Sequence, residues 1–83
     1  LFSAYPNPFN GHVTLSFSIE KDEIIQMKVY DLSGKLVDKI LNEKKEKGDY
    51  TITWDANNYA SGVYIVQLNF GDAQVSQKIL LLK

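Results

Sequence analysis

Apolar residues along this chain recur with the two-residue period of a pleated strand, and no stretch carries a useful helical period. Val13, Leu15, Phe17 and Ile19 alternate with Thr14, Ser16 and Ser18, which predicts a half-buried strand. Lys21-Asp22-Glu23 reads as a polar turn. A second strand comes next over Ile24–Tyr30, with Ile25, Met27 and Val29 on one face and Gln26 and Lys28 on the other. Asp31-Leu32-Ser33-Gly34 is a hairpin signal, because Asp favours the first position of a type I turn and Gly supplies the positive φ that closes it. The return strand over Leu36–Leu41 has a mixed alternation that leaves its inner face open. The charged segment Asn42–Gly48 holds no apolar residue and reads as a solvated connection between sheets. Tyr50, Ile52 and Trp54 alternate with Thr51 and Thr53, and an Asn- and Asp-rich loop runs from Asp55 to Ser61. Tyr64, Val66, Leu68 and Phe70 mark the next strand, and Gly71-Asp72 a two-residue turn. Val75, Ile79 and Leu81 mark the last strand, whose Leu80 and Leu82 lie on the opposite face. Leu1–Tyr5 can add a short edge strand, which Pro6 and Pro8 end by withholding their N–H donors.

Six to seven short strands at this spacing, with turn chemistry between them, predict an all-β fold: an antiparallel, immunoglobulin-like β-sandwich. A small closed barrel is the alternative. With 83 residues the chain is expected to form a single domain over residues 1–83. No basic n-region precedes a long apolar stretch, so these residues are expected to carry no signal peptide of their own and to be a fragment of a longer protein.

The composition narrows the function. All nine basic residues are lysines, against ten acids, for a net charge of -1. Nucleic acid, an anionic membrane and bidentate phosphate recognition are disfavoured by that balance. The longest apolar run, Ile79–Leu82, is far too short to span a membrane. There is no cysteine and one histidine, His12, so nucleophilic triads and thiolate or histidine metal sites lack their parts. Paired carboxylates such as Asp22 with Glu23, or Glu43 with Glu46, fall in turns where solvated charge explains them. Asp55, Asn57 and Asn58 could offer oxygens to calcium, but they serve equally as side-chain turns onto backbone N–H groups. No catalytic residue, metal site or cofactor is expected. Trp54 and Tyr64 share faces with aliphatic residues and read as core. Tyr59 and Tyr30 are the candidates for an exposed carbohydrate platform.

Five segments occur in an order that resembles a known family. They are Tyr5-Pro6-Asn7-Pro8-Phe9-Asn10, Val29 through Val37, Gly48 through Asp55, Ser61 through Val66, and Lys78-Ile79-Leu80-Leu81-Leu82-Lys83. Together they resemble the C-terminal sorting domain of proteins exported by the type IX (Por) secretion system of Bacteroidetes-type bacteria. They are also similar to the immunoglobulin-like domain of the flagellar hook-capping protein, although the Asp55–Ser61 loop is shorter than in many of those sequences. The resemblance implies a seven-stranded sandwich at the C-terminus of a large extracellular protein. It implies passage through the periplasm to the cell surface or medium, recognition by a secretion translocon and, in many members, removal by a sortase-like peptidase. The recognition positions it implies are Gly62, Tyr64, Lys78, Ile79, Leu80, Leu81, Leu82 and Lys83. Tyr5, Pro6, Asn7 and Pro8 form a stiff lead-in motif. No nucleic acid or membrane insertion is expected, and the domain is expected to be a monomer or weak dimer. The competing reading is a structural or carbohydrate-binding accessory domain of an extracellular glycoside hydrolase; a further one is an assembly domain of the hook-cap kind.

Overall fold

The structure is a computed structural model that describes residues 2–83. Leu1, the first residue of the expected edge strand, lies outside the described residues. Among the described residues there are seven strands and no helix: β1 (Phe2–Tyr5), β2 (His12–Ile19), β3 (Glu23–Asp31), β4 (Leu36–Lys45), β5 (Gly48–Asp55), β6 (Gly62–Phe70) and β7 (Ala73–Leu81). They form two antiparallel sheets, one ordered β1-β2-β5 and the other β4-β3-β6-β7. The arrangement is the immunoglobulin-like sandwich, not a closed barrel. The chain passes between sheets at β2–β3, β4–β5 and β5–β6, while β1–β2, β3–β4 and β6–β7 are neighbours within a sheet.

The alternation read from the sequence sets which face is dry. Val13, Leu15, Phe17 and Ile19 of β2 meet Ile25, Met27 and Val29 of β3 and Val66 and Leu68 of β6, and all of them are buried. A fully buried aliphatic side chain contributes about 1.5–3 kcal/mol of transfer free energy, so these inner faces hold the sheets together. Ile79 and Leu81 of β7 and Trp54 of β5 complete the core. Two turns need glycine. Gly34 closes the β3–β4 turn at φ 87°, where its N–H donates to the Asp31 carbonyl at 3.0 Å. Gly71 opens the β6–β7 turn at φ 60°.

Two expectations change here. The segment Asn42–Lys45 is strand, not connection: β4 runs on to Lys45 and only Glu46 and Lys47 link it to β5. A sheet edge rich in lysine and glutamate suits β4, since charge there blocks pairing with another chain. Lys45 is tied down by Glu43 at 2.6 Å and lies over the Tyr50 ring. The mixed alternation of β4 also has a cause. Its register against β3 shifts between Met27 and Lys28 and again between Val29 and Tyr30. Each shift inserts a bulged residue, Ile40 and Val37, and a bulge reverses the in–out sense of the residues beyond it. Val37, Ile40 and Leu41 consequently all pack on the core.

Candidate functional site: a pole built from both ends of the chain

The antiparallel order gathers one set of strand ends at one pole. The β1–β2 connection, the Asp31–Lys35 turn, the 56–61 loop and the end of β7 all lie there. The opposite pole carries Glu20–Asp22, Glu46-Lys47 and Gly71-Asp72, and Phe2 pairs with Phe17 near it. Four of the five sequence segments thereby meet at a single end of a body 37 Å long, and the fifth, Gly48–Asp55, runs to that end from the opposite pole and delivers Trp54 and Asp55 there.

The segment Tyr5–Pro8 is not an extended lead-in to the domain. It comes after β1, bends at Pro6, Asn7 and Pro8, and straps the edge of one sheet to the edge of the other. Both X–Pro bonds in it are cis. The strap reaches the outer edge of β7, 71 residues away in sequence. Phe9 N–H donates to the Leu80 carbonyl and the Phe9 carbonyl accepts from Leu82 N–H, both at 2.9 Å, making a parallel bridge to Leu81. Asn7 repeats that pattern with its side chain. Its Nδ2 donates to the Lys78 carbonyl and its Oδ1 accepts from Leu80 N–H, each at 3.0 Å. A primary amide carries one acceptor and a donor group side by side, so it imitates a peptide unit. Prolines on either side have no N–H that would need a partner.

Aromatic rings fill the pole beneath the strap. Phe9, Trp54, Tyr59 and Tyr64 form a cluster with centroid separations of 5.4 Å (Trp54–Tyr59), 5.8 Å (Trp54–Tyr64) and 6.2 Å (Phe9–Trp54). Each polar tip has a partner, as buried Trp and Tyr require. Trp54 Nε1 donates to Asp38 Oδ2 at 2.8 Å, Tyr59 OH to the Val37 carbonyl at 3.0 Å and Tyr64 OH to the Ala60 carbonyl at 2.6 Å. Burial, and then the Asp38 carboxylate, pushes the Tyr59 phenol above its ordinary pKa. Tyr59 is therefore a wall of the core and not an exposed platform, and Tyr30 is half-buried. The exposed ring at this pole is Tyr5.

The remaining loops are fastened to the same centre. Asp31 Oδ1 accepts from Ser33 Oγ at 2.7 Å, Ser33 N–H at 2.9 Å and Lys35 N–H at 3.0 Å. These bonds, that from the Ser33 hydroxyl first, hold its carboxyl below the ordinary Asp pKa. Asp55 Oδ1 accepts from Asn57 N–H, the side-chain turn expected for that loop. Lys83 N–H donates to Ser61 Oγ at 3.0 Å, and Lys83 Nζ to the Asn57 carbonyl at 2.5 Å.

The residues implied by the family resemblance thus divide by exposure. Tyr64, Ile79 and Leu81 are buried at 7%, 1% and 0% and act through packing. Tyr5, Pro6, Asn7, Pro8, Lys78, Leu82 and Lys83 are exposed, and Leu80 is half-buried. Gly62 opens β6 at φ 155°, a conformation confined to glycine. A Cβ there would meet nothing within 4 Å, so backbone conformation and not crowding demands the glycine. Sequence reasoning missed Asp38 and the Asn57 carbonyl, and it placed Ser61 in a family segment without its bond to Lys83. The broken alternation around Asp38 is the one signal for it; the Asn57 carbonyl leaves none.

A solved structure with the same fold is that of PorZ from Porphyromonas gingivalis, described as an essential bacterial surface component of the type IX secretion system of that human oral-microbiome organism. The two superpose with a TM-score of 0.72 at 20% identity, over 99% of this chain. The chain spans 11% of that protein's length. A search of curated proteins gave no match. The profile of the secretion system C-terminal sorting domain matches residues 3–82, from within β1 to just beyond β7. A match of that extent takes in the strap, every turn and the closing strand, and the chain belongs to this family of Por, or type IX, C-terminal sorting domains.

Proposed function

We propose that the pole joining the Tyr5–Pro8 strap to the Lys78–Lys83 strand is the surface by which the secretion machinery reads the folded domain. A domain of this family is a sorting signal for export to the cell surface or medium, and not a catalyst. The observation that carries the proposal is the meeting of four family segments, with the Trp54-Asp55 end of the fifth, on the end opposite Phe2. A cargo joined ahead of Phe2 would leave from the far pole, so a receptor could hold the motif pole without touching the cargo. In this reading the cargo reaches the periplasm first, an outer-membrane translocon engages the motif pole, and a sortase-like peptidase acts at the opposite, accessible junction. Tyr5, Pro6, Pro8, Lys78, Leu80, Leu82 and Lys83 offer contact. Gly62, Tyr64, Ile79 and Leu81 hold those contacts in place. Residues 1–83 act here as one module of a larger secreted protein.

The test is a reporter joined to the N-terminal side of the domain in a type IX-competent host. The intact domain releases the reporter to the surface or medium, and removal of Ile79–Lys83 leaves it in the periplasm. Because that deletion also removes core residues, a Lys78→Glu/Lys83→Glu variant with an unchanged urea midpoint provides the second arm. Undiminished release from both would overturn the proposal.

A further inference from the structure

The two outer faces of the sandwich differ in kind. The outer face of the β1-β2-β5 sheet is hydroxyl-lined: Ser3, Ser16 and Thr51 form one cross-strand row, and Ser18 donates to Asp49 Oδ1 at 2.5 Å. Such a face is well satisfied by water. The outer face of the β4-β3-β6-β7 sheet is not. Register places Leu36, Tyr30 and Ile65 in one row across β4, β3 and β6, ending on Lys78 of β7. The next row toward the motif pole pairs Val63 with Leu80, and Leu32 stands in the adjoining turn, 69% exposed. An apolar patch drawn from all four strands is thus left open at the motif pole.

Lysines predominate among the charges around it. Lys28, Lys39, Lys44 and Lys78 occupy outward positions on this sheet, accompanied by neutral partners such as Gln26, Asn42 and Gln67. The chain has ten acidic residues, and none takes an outward position on this face. Asp38 is turned in toward Trp54, Asp31 is bonded within its turn, and Glu23 and Glu43 are in register with inward positions. In a chain of net charge -1, Lys28, Lys39 and Lys78 beside the apolar centre make this face predominantly positive, with the Asp31 carboxylate at its corner next to Leu32 and Val63. An apolar core with a charged rim is the anatomy of a protein–protein interface, and complementary charge steers and orients such an encounter.

We infer that the outer face of the β4-β3-β6-β7 sheet, centred on Tyr30, Ile65 and Leu80, docks an apolar protein surface rimmed with carboxylates. The inference rests on the sorting role, since Lys78 and Leu80 belong to both, and it names the face and the chemistry of the partner. The face is four strands wide, which suits a folded partner better than a threaded peptide.

A photo-crosslinking amino acid at Leu36 tests it in the secreting host, within the reporter fusion. The same probe at Thr51, on the hydroxyl-lined face, is the control. The expected result is a protein adduct from Leu36, with crosslinked peptides rich in Asp and Glu, and none from Thr51. Lys28→Glu with Lys78→Glu lowers that adduct by roughly tenfold, the effect of about 1.4 kcal/mol of lost and reversed ion pairing. The urea midpoint of this variant stays unchanged. Normal release with adducts only from Thr51, only to lipid, or only to a second copy of the domain would overturn the inference while leaving the sorting role standing. An adduct indifferent to the charge reversal would overturn it as well. Failure of the intact domain to release the reporter would remove the sorting role and the inference with it.

Discussion

Replacing Asn7 with Ala isolates the device that ties the two ends of the chain together. The change removes two hydrogen bonds of 3.0 Å, to the Lys78 carbonyl and from Leu80 N–H, and leaves the backbone of the strap intact. A neutral hydrogen bond contributes about 0.5–1.5 kcal/mol net, and exposed ones fall toward the low end because water replaces them. Two of them sum to about 1–1.5 kcal/mol. A domain of this size has roughly 4–12 kcal/mol of total stability, so the loss is plain in a urea melt. Amide hydrogen exchange gives the sharper readout. Leu80 N–H loses its partner and exchanges about tenfold faster or more. Ile79 and Leu81 face β6, in register with Tyr64 and Gly62, and stay protected. Leu82 N–H keeps the Phe9 carbonyl. Asn7→Asp separates the two bonds: its carboxylate still accepts from Leu80 N–H but cannot donate to the Lys78 carbonyl. That variant is destabilised while Leu80 remains protected. Unchanged Leu80 exchange in Asn7→Ala would refute the peptide-mimic account of the strap.

Two other outcomes concern the same pole. Trp54→Ala removes the ring that touches Phe9, Tyr59 and Tyr64 and strands the Asp38 carboxylate, and is expected to cost about 3–5 kcal/mol in a urea melt; a loss below about 1 kcal/mol would mean that the ring is not a core element. The Asp31 carboxyl titrates below the ordinary Asp value in a carboxyl NMR titration, and Ser33→Ala moves it back up. Its folded pKa is depressed, so its contribution to the turn is present above the unfolded pKa and is lost as pH falls through the folded one; an Asp31 midpoint at or above the ordinary value would contradict the turn geometry.

The β-sandwich was legible because strand alternation is a local property of the chain. Residues 13–19 and 24–30 announce their buried faces by period alone, and Asp31–Gly34 carries its turn in its own residue types. Core membership of Trp54 and Tyr64 came from the same signal. Sequence alone misread those places whose partners lie far along the chain. β4 looked half like a connection because two bulges break its period and its edge position tolerates charge. Tyr59 looked exposed because a loop residue has no period, while Trp54 and the Val37 carbonyl that hold it belong to other strands. The Tyr5–Pro8 segment looked like an entry linker because the amide that Asn7 serves lies on β7, at the other end of the chain. Local pattern thus determined which residues become strands and which face of each is dry. Only the tertiary structure decided that the Tyr5–Phe9 strap and the end of β7 share one pole, because sheet order and register are set by packing both apolar faces at once, and no single segment contains that information.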